Sequence, residues 1–238
     1  MSYEKEVLEE VLLWKKKFSK RPAFLQRKSK DIQAYVTARI PGKIHDALTE
    51  SIRLMTEMTI KGSQWTNIEV PNLATLKEKD DAVRSLLSTY KKAAALEGAA
   101  TGAGGFAAGM ADFPLLLGIK MKFLYEAASI YGFSPKNLQE RVCILMVFQL
   151  AFSSEPVREK TLSILERWET QPLPVEDMNW REFQQEYRDH IDLAKMLQLV
   201  PGIGAAVGGT VNYRLLDKLG ETAMKVYQMR ILTNGDLN

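Results

Sequence analysis

The sequence predicts an all-α protein, a single compact domain of about eight helices, and three observations carry that expectation. Apolar residues recur at helical spacing along nearly the whole chain, with no alternating strand pattern bounded by hairpin turns. Prolines and glycines fall where helices would begin and end. Nine of the fifteen glycines lie in two charge-free windows, Gly98 to Gly109 and Gly202 to Gly209, inside sequence that otherwise reads as helix. With 238 residues and 46% hydrophobic content, the chain can bury a substantial core as one domain spanning 1–238.

A first helix is predicted over 3–18, with Val7, Leu8, Val11, Leu12 and Trp14 as its apolar face. Pro22 opens a second, through Leu25, Ile32, Tyr35, Val36 and Ile40, which Pro41 interrupts or restarts. Residues 1–40 thus read as basic amphipathic helices. Ile44, Leu48, Ile52, Met55 and Thr59 continue a stripe to Gly62, and 65–72 is a loop. The chain is helical again from about Leu73 into the first glycine window. Pro114 opens a helix over 115–131 that Gly132 ends. Ser134-Pro135 reads as cap and first turn of a helix over 136–152, apolar nearly all round and therefore placed at the centre. Ser154-Glu155-Pro156 starts another, ending near Trp168. Residues 169–179, with Pro172 and Pro174, are an internal loop, and helices over 180–199 and 202–232 complete the chain.

The glycine windows need a physical reason, because glycine in a helix interior costs about 1 kcal/mol relative to alanine. Gly98, Gly102, Gly105 and Gly109 form a stripe on one helical face, and Gly204 and Gly208 repeat the four-residue step. A face without side chains admits another backbone, or a lipid or ligand chain, unusually closely. Asp112 and Asn212 each stand about one turn past a stripe. Asp112 either caps the helix begun at Pro114 or looks into a groove. Asn212 either bridges helices in the core or points into a pocket.

Net charge is +3 but unevenly placed. Residues 1–40 hold ten Lys/Arg against five Asp/Glu, and eight cations fall between positions 15 and 30 without an acid. Trp14, Lys15, Lys16, Lys17, Phe18, Lys20 and Arg21 are the candidate membrane-surface residues, since cations interleaved with aromatics suit an anionic bilayer. The alternative is a solvated face whose aromatics dock into the core. RNA could use the same chemistry, but no RNA-binding fold is visible, so no nucleic-acid partner is expected.

Enzyme signatures are scarce. His45 has no metal-binding partner at helical spacing. Glu182, Glu186, Asp189 and His190 make one carboxylate–imidazole set where a di-iron site needs such sets from several helices, and read better as a solvated face. Gly42-Lys43 lacks the remainder of a phosphate-binding loop. Cys143, the single cysteine, lies in an apolar run and reads as a buried thiol. No catalytic residue, metal or cofactor is assigned. The uncharged stretches fall short of the ~20 residues needed to span a bilayer, and residues 1–6 do not resemble a signal peptide.

At the glycine windows the chain resembles the EcsC family, named after a product encoded beside the Ecs-type ABC exporter. The matching residues are Trp14-Lys15; Glu97-Gly98-Ala99-Ala100-Thr101-Gly102 with Gly104-Gly105; Ala111-Asp112-Phe113-Pro114; Tyr131-Gly132; and Val200 through Gly208 with Val211-Asn212-Tyr213. The resemblance implies a cytoplasmic bacterial protein associated with the inner face of the membrane and genomically linked to an exporter. It supplies no catalytic residues. The expected function is a non-catalytic, peripheral membrane protein accessory to an ABC-type export system. The alternative is an enzyme or carrier holding an apolar ligand between the glycine-striped helices.

Overall fold

In the computed structural model the described residues are 2–18, 42–62, 68, 72–103, 113–188 and 204–235, with only the backbone course given at 42–45, 47, 101–103, 204–208, 234 and 235. Among them are eight α-helical segments and no strand: α1 (Tyr3–Phe18), α2 (Gly42–Lys61), α3 (Leu76–Ala103), α4 (Phe113–Tyr131), α5 (Leu138–Phe152), α6 (Glu155–Glu166), α7 (180–188) and α8 (Gly204–Gly235). The helix expected from Pro22 to Ile40 lies outside the described residues, as do 189–203.

Local chemistry explains the boundaries. On α1, Glu4 and Glu6 occupy the first turn and Lys15, Lys16 and Lys17 the last, matching the helix dipole at both ends. A reciprocal box starts α3: Glu78 N–H donates to Thr75 Oγ1 at 3.2 Å and Thr75 N–H to Glu78 Oε2 at 3.0 Å. Gly132 ends α4 at φ +97°, a left-handed conformation that suits glycine; its N–H donates to Ser129 O, and that of Phe133 to Ala128 O. The cap of α5 is not Ser134 but Asn137, whose Oδ1 accepts from Gln139 N–H at 2.9 Å. Ser134 to Asn137 close a turn instead, with Asn137 N–H donating to Ser134 O at 3.1 Å and Pro135 second in it. Asn179 caps α7 through Glu182 N–H at 3.1 Å.

Every residue of α5 from Val142 to Phe152 is buried, so the helix with no polar face is enclosed on all sides as its sequence requires. Around it, α8 packs on α1, α3, α4, α5 and α6. The 169–179 loop carries a single 3₁₀ turn at Val175–Asp177 and is moored to the body. Trp168 and Met178 are buried at its ends, and Gln139 Nε2 donates to Leu173 O at 2.6 Å.

Candidate functional site

The longest two helices make the scaffold for every candidate residue. Along α3 and α8, Gln228 meets Asp80, Gly220 meets Leu87, Asp217 meets Lys91 and Asn212 meets Glu97. Numbers rise on one helix as they fall on the other, so the pair is antiparallel and its two glycine-bearing ends lie together. Asn212 is buried and donates from Nδ2 to Glu97 Oε2 at 3.2 Å, the interhelical bridge that sequence offered as one of its two readings. A Cβ on Gly209 would stand 3.0 Å from the carbonyl oxygen of Ala95 and 3.6 Å from Ala99 Cβ. Glycine there permits backbone-to-backbone approach. Gly209, next to the expected Gly208, stands at this crossing. Gly98 is buried on the facing helix. Gly102, Gly204 and Gly208 have only their backbone course described, and Gly105, Gly109 and Asp112 lie outside the described residues.

Two buried polar clusters were not expected. Asp80, fully buried on α3, accepts hydrogen bonds from Tyr131 at 2.6 Å, Tyr3 at 2.7 Å and Gln228 Nε2 at 2.9 Å. One carboxylate thereby ties α1, α4 and α8 to α3. Burial, then the neighbouring Asp80 charge, pushes the Tyr131 phenol above its ordinary value. Arg230, buried on α8, grips Glu140 through two bonds of 2.6 and 2.8 Å and reaches Glu169 at 2.5 Å. Its guanidinium carbon lies 3.7 Å from the centroid of the Phe133 ring. Both clusters left a trace in the sequence. Asp80 falls in phase with Leu76, Val83 and Leu87, and Arg230 with Leu216, Leu219 and Ala223. A charge on an apolar stripe is a buried charge, and it needs partners.

At the centre of each cluster the charged group is held by partners, Asp80 by Tyr3, Tyr131 and Gln228, and Arg230 by Glu140 and Glu169. Cys143 sits 3.3 Å from Arg230 Nη1, and burial pushes its thiol up to about 12 despite that cation. Lys120 is buried with its ammonium 3.1 Å from the Tyr187 hydroxyl and 5.3 Å from the Phe152 centroid. Glu182 pairs with Lys160 at 3.1 Å and Glu186 accepts from Ser154, so this face docks α7 against α6 rather than being merely solvated. Asp189, His190 and the His45 side chain lie outside the described residues. Among the described residues no group of three or more His, Cys, Asp or Glu could hold a metal.

The surface of α1 differs from the expected arrangement. Trp14 is buried with its ring 4.5 Å from that of Phe18, and Phe18 lies under Arg158 at 4.8 Å. Lys15 pairs with Glu166 at 2.5 Å. These three residues face the body, which corrects the assignment of Trp14 and Phe18 to a lipid surface: Val7, Val11 and Trp14 form the stripe that docks. Lys16 and Lys17 are exposed, and Lys20 and Arg21 lie outside the described residues. On the outward face stand Leu8, Leu12 and Leu13, the last two 47% and 56% exposed. Leu8 and Leu12 had been expected to dock, and Leu13 had carried no assignment.

Residues 5–232 match the model of the EcsC protein family. The chain is 48% identical over 227 residues to Protein EcsC of Bacillus subtilis (strain 168), covering 95% of each chain. It is 30% identical over 170 residues to the uncharacterized protein YdbA of the same organism, covering 70% of this chain and 62% of that one. No solved structure matches.

Proposed function

This chain belongs to the EcsC protein family, and from that premise we propose that it is a non-catalytic protein that associates peripherally with an anionic membrane and serves an ABC-type export system. The observation that carries the membrane reading is the outward face of α1. Leu12 and Leu13 are exposed there beside the exposed cations Lys16 and Lys17, while the opposite face is committed to the core. Leucines that leave water for lipid contribute up to about 1.5–3 kcal/mol each. A lysine near anionic headgroups adds roughly 1 kcal/mol. Together these are enough for reversible adhesion. The sequence that follows α1 adds Lys20, Arg21, Arg27, Lys28 and Lys30 without an acid. Among the described residues no helix is long and apolar enough to cross a membrane, so the proposed mode is adhesion to one face. The exporter part of the proposal rests on the family's genomic link alone.

The carrier reading has less room. At Gly209, beside the proposed stripe residue Gly208, the Ala95 backbone fills the space, which leaves no width at that position for an apolar ligand. Cell fractionation tests the proposal. The protein should sediment with membranes at low salt and be released by about 1 M salt, where the screening length falls to ~3 Å. Recovery entirely in the supernatant at low salt would contradict it.

A further inference from the structure

We propose that Tyr3, Asp80, Tyr131 and Tyr227 form a proton-coupled electron relay that carries a one-electron oxidation from the core out to the half-buried Tyr3. This inference is independent of the membrane reading. A column of rings joins the two buried clusters. The Arg230 guanidinium stands 3.7 Å over the Phe133 centroid, Phe133 and Tyr227 stack at 5.4 Å, and Tyr227 and Tyr131 stack at 5.5 Å. The column ends on Asp80, where two phenols use different oxygens: Tyr131 donates to Oδ1 at 2.6 Å and Tyr3 to Oδ2 at 2.7 Å. One carboxylate can thus take a proton from one phenol while returning one to the other, within the reach that proton transfer needs. Burial is the leading cause that raises both phenols above their ordinary values, so each is protonated at rest.

An oxidised phenol is a strong acid, so an electron leaves most readily where a base stands ready for the proton. When a peroxide-derived one-electron oxidant takes an electron from the column, Tyr131 loses its phenol proton to Asp80 Oδ1 and becomes a neutral radical. Tyr3 then passes an electron to Tyr131; the proton on Oδ1 returns to the Tyr131 oxygen as the Tyr3 proton moves to Oδ2. A thiol- or ascorbate-class reductant at the surface gives Tyr3 an electron, and Oδ2 gives back the proton. One electron has moved from reductant to oxidant, and every bond is restored. The other described tyrosines are arranged differently. Tyr227 is buried and its hydroxyl has no hydrogen-bond partner among the described residues, so it passes the hole on. Tyr125 donates to a carbonyl, Thr59 O, at 3.1 Å, which does not hold a proton. Tyr187 and Tyr213 lie against the ammonium groups of Lys120 and Lys91, which disfavour a positive hole. Tyr90 donates to Glu126 at 3.0 Å but packs on Phe123 rather than a second phenol. Tyr35 lies outside the described residues. Draining the hole outward spares Cys143, which sits 3.3 Å from Arg230 at the inner end and whose oxidation to sulfinic acid is irreversible.

The test starts the oxidation at the far end of the column, on the full chain. Leu138 is exposed on the first turn of α5, two residues before the Glu140 that grips Arg230. Leu138→Cys carries a ruthenium photosensitiser; buried Cys143 stays unlabelled. A flash with a sacrificial electron acceptor generates ruthenium(III), and electron paramagnetic resonance reads the tyrosyl radical. The radical should settle on Tyr3, so Tyr3→Phe removes that signal and leaves a radical on Tyr131 that ascorbate quenches slowly. Tyr131→Phe should abolish the Tyr3 radical, whereas Tyr90→Phe should leave it unchanged. In heavy water the Tyr3 radical should form more slowly, a readout that needs no variant at the cluster. A Tyr3 radical of full yield in Tyr131→Phe, or a signal lost only in Tyr90→Phe, would overturn the path. Equal rates in light and heavy water would overturn the part given to Asp80, and the absence of any tyrosyl radical would overturn the relay outright.

Discussion

Asp80 shows how much of this molecule hangs on single buried groups. Its carboxylate is the acceptor for Tyr131, Tyr3 and Gln228, so removing it strands the buried donors of Tyr131 and Gln228. Each buried donor left unpaired costs about 1–3 kcal/mol. Asp80→Ala should therefore lower stability by several kcal/mol, Asp80→Asn by less, and Tyr131→Phe by about 1 kcal/mol. Denaturant melts check the order, and an unchanged midpoint in Asp80→Ala would contradict the cluster's role. The buried phenols and thiol set a second expectation. Tyr125 and Cys143 are each held neutral by burial, with values raised to about 12, so the unfolded chain ionises first. Their contribution is complete below pH about 9 and is lost as pH rises through the folded values near 12. Thermal melts between pH 8 and 12 should show stability falling steadily over that range; a flat profile would refute it. Asp80 and Arg230 could be read in part from their in-phase positions on apolar stripes. Their partners could not, because Tyr3, Tyr131 and Gln228 are separated along the chain by more than fifty residues from Asp80.

At the level of elements, the pairing of α3 with α8 depends on glycines that make room. A Cβ on Gly220 would meet three atoms of Leu87 at 2.4 to 2.9 Å, so the whole side chain must move. Alanine gains about 1 kcal/mol of helix propensity, but overpacking costs about 1–3 kcal/mol. Gly220→Ala should thus be destabilising in the native background and stabilising by about 1 kcal/mol once Leu87→Ala has cleared the space. A double-mutant cycle measured by chemical denaturation decides this, and additivity of the two changes would argue against close packing. Helices with strong punctuation were legible: Gly132 ended α4, and the apolar run of α5 became its buried interior. The start of α5 was displaced because Ser134-Pro135 serves a turn as well as a cap, and only the fold selects Asn137. The docking face of α1 was half legible. Val7 and Val11 turn inward as expected and Trp14 joins them instead of facing lipid, but Leu8 and Leu12 share the apolar pattern and face outward. Periodicity alone cannot say which edge of a broad stripe is covered.

For the molecule as a whole, α8 gathers five other helices, and α1 lies on that assembly held by Tyr3–Asp80, Lys225–Glu10 and Lys15–Glu166. The body thereby presents the outer face of α1 without giving up its core. The close approach of Gly209 to Ala95 was not legible, since it depends on the antiparallel course of two helices more than a hundred residues apart. Adhesion through α1 is most directly measured as binding of the purified chain to vesicles, comparing phosphatidylglycerol-containing with purely zwitterionic lipid. Binding should require the anionic lipid, weaken as salt shortens the screening length from ~10 Å at 0.1 M to ~3 Å at 1 M, and fall at least tenfold in the double variant Leu12→Glu/Leu13→Glu with its melting temperature retained. Equal binding to both lipids, or none to either, would contradict it.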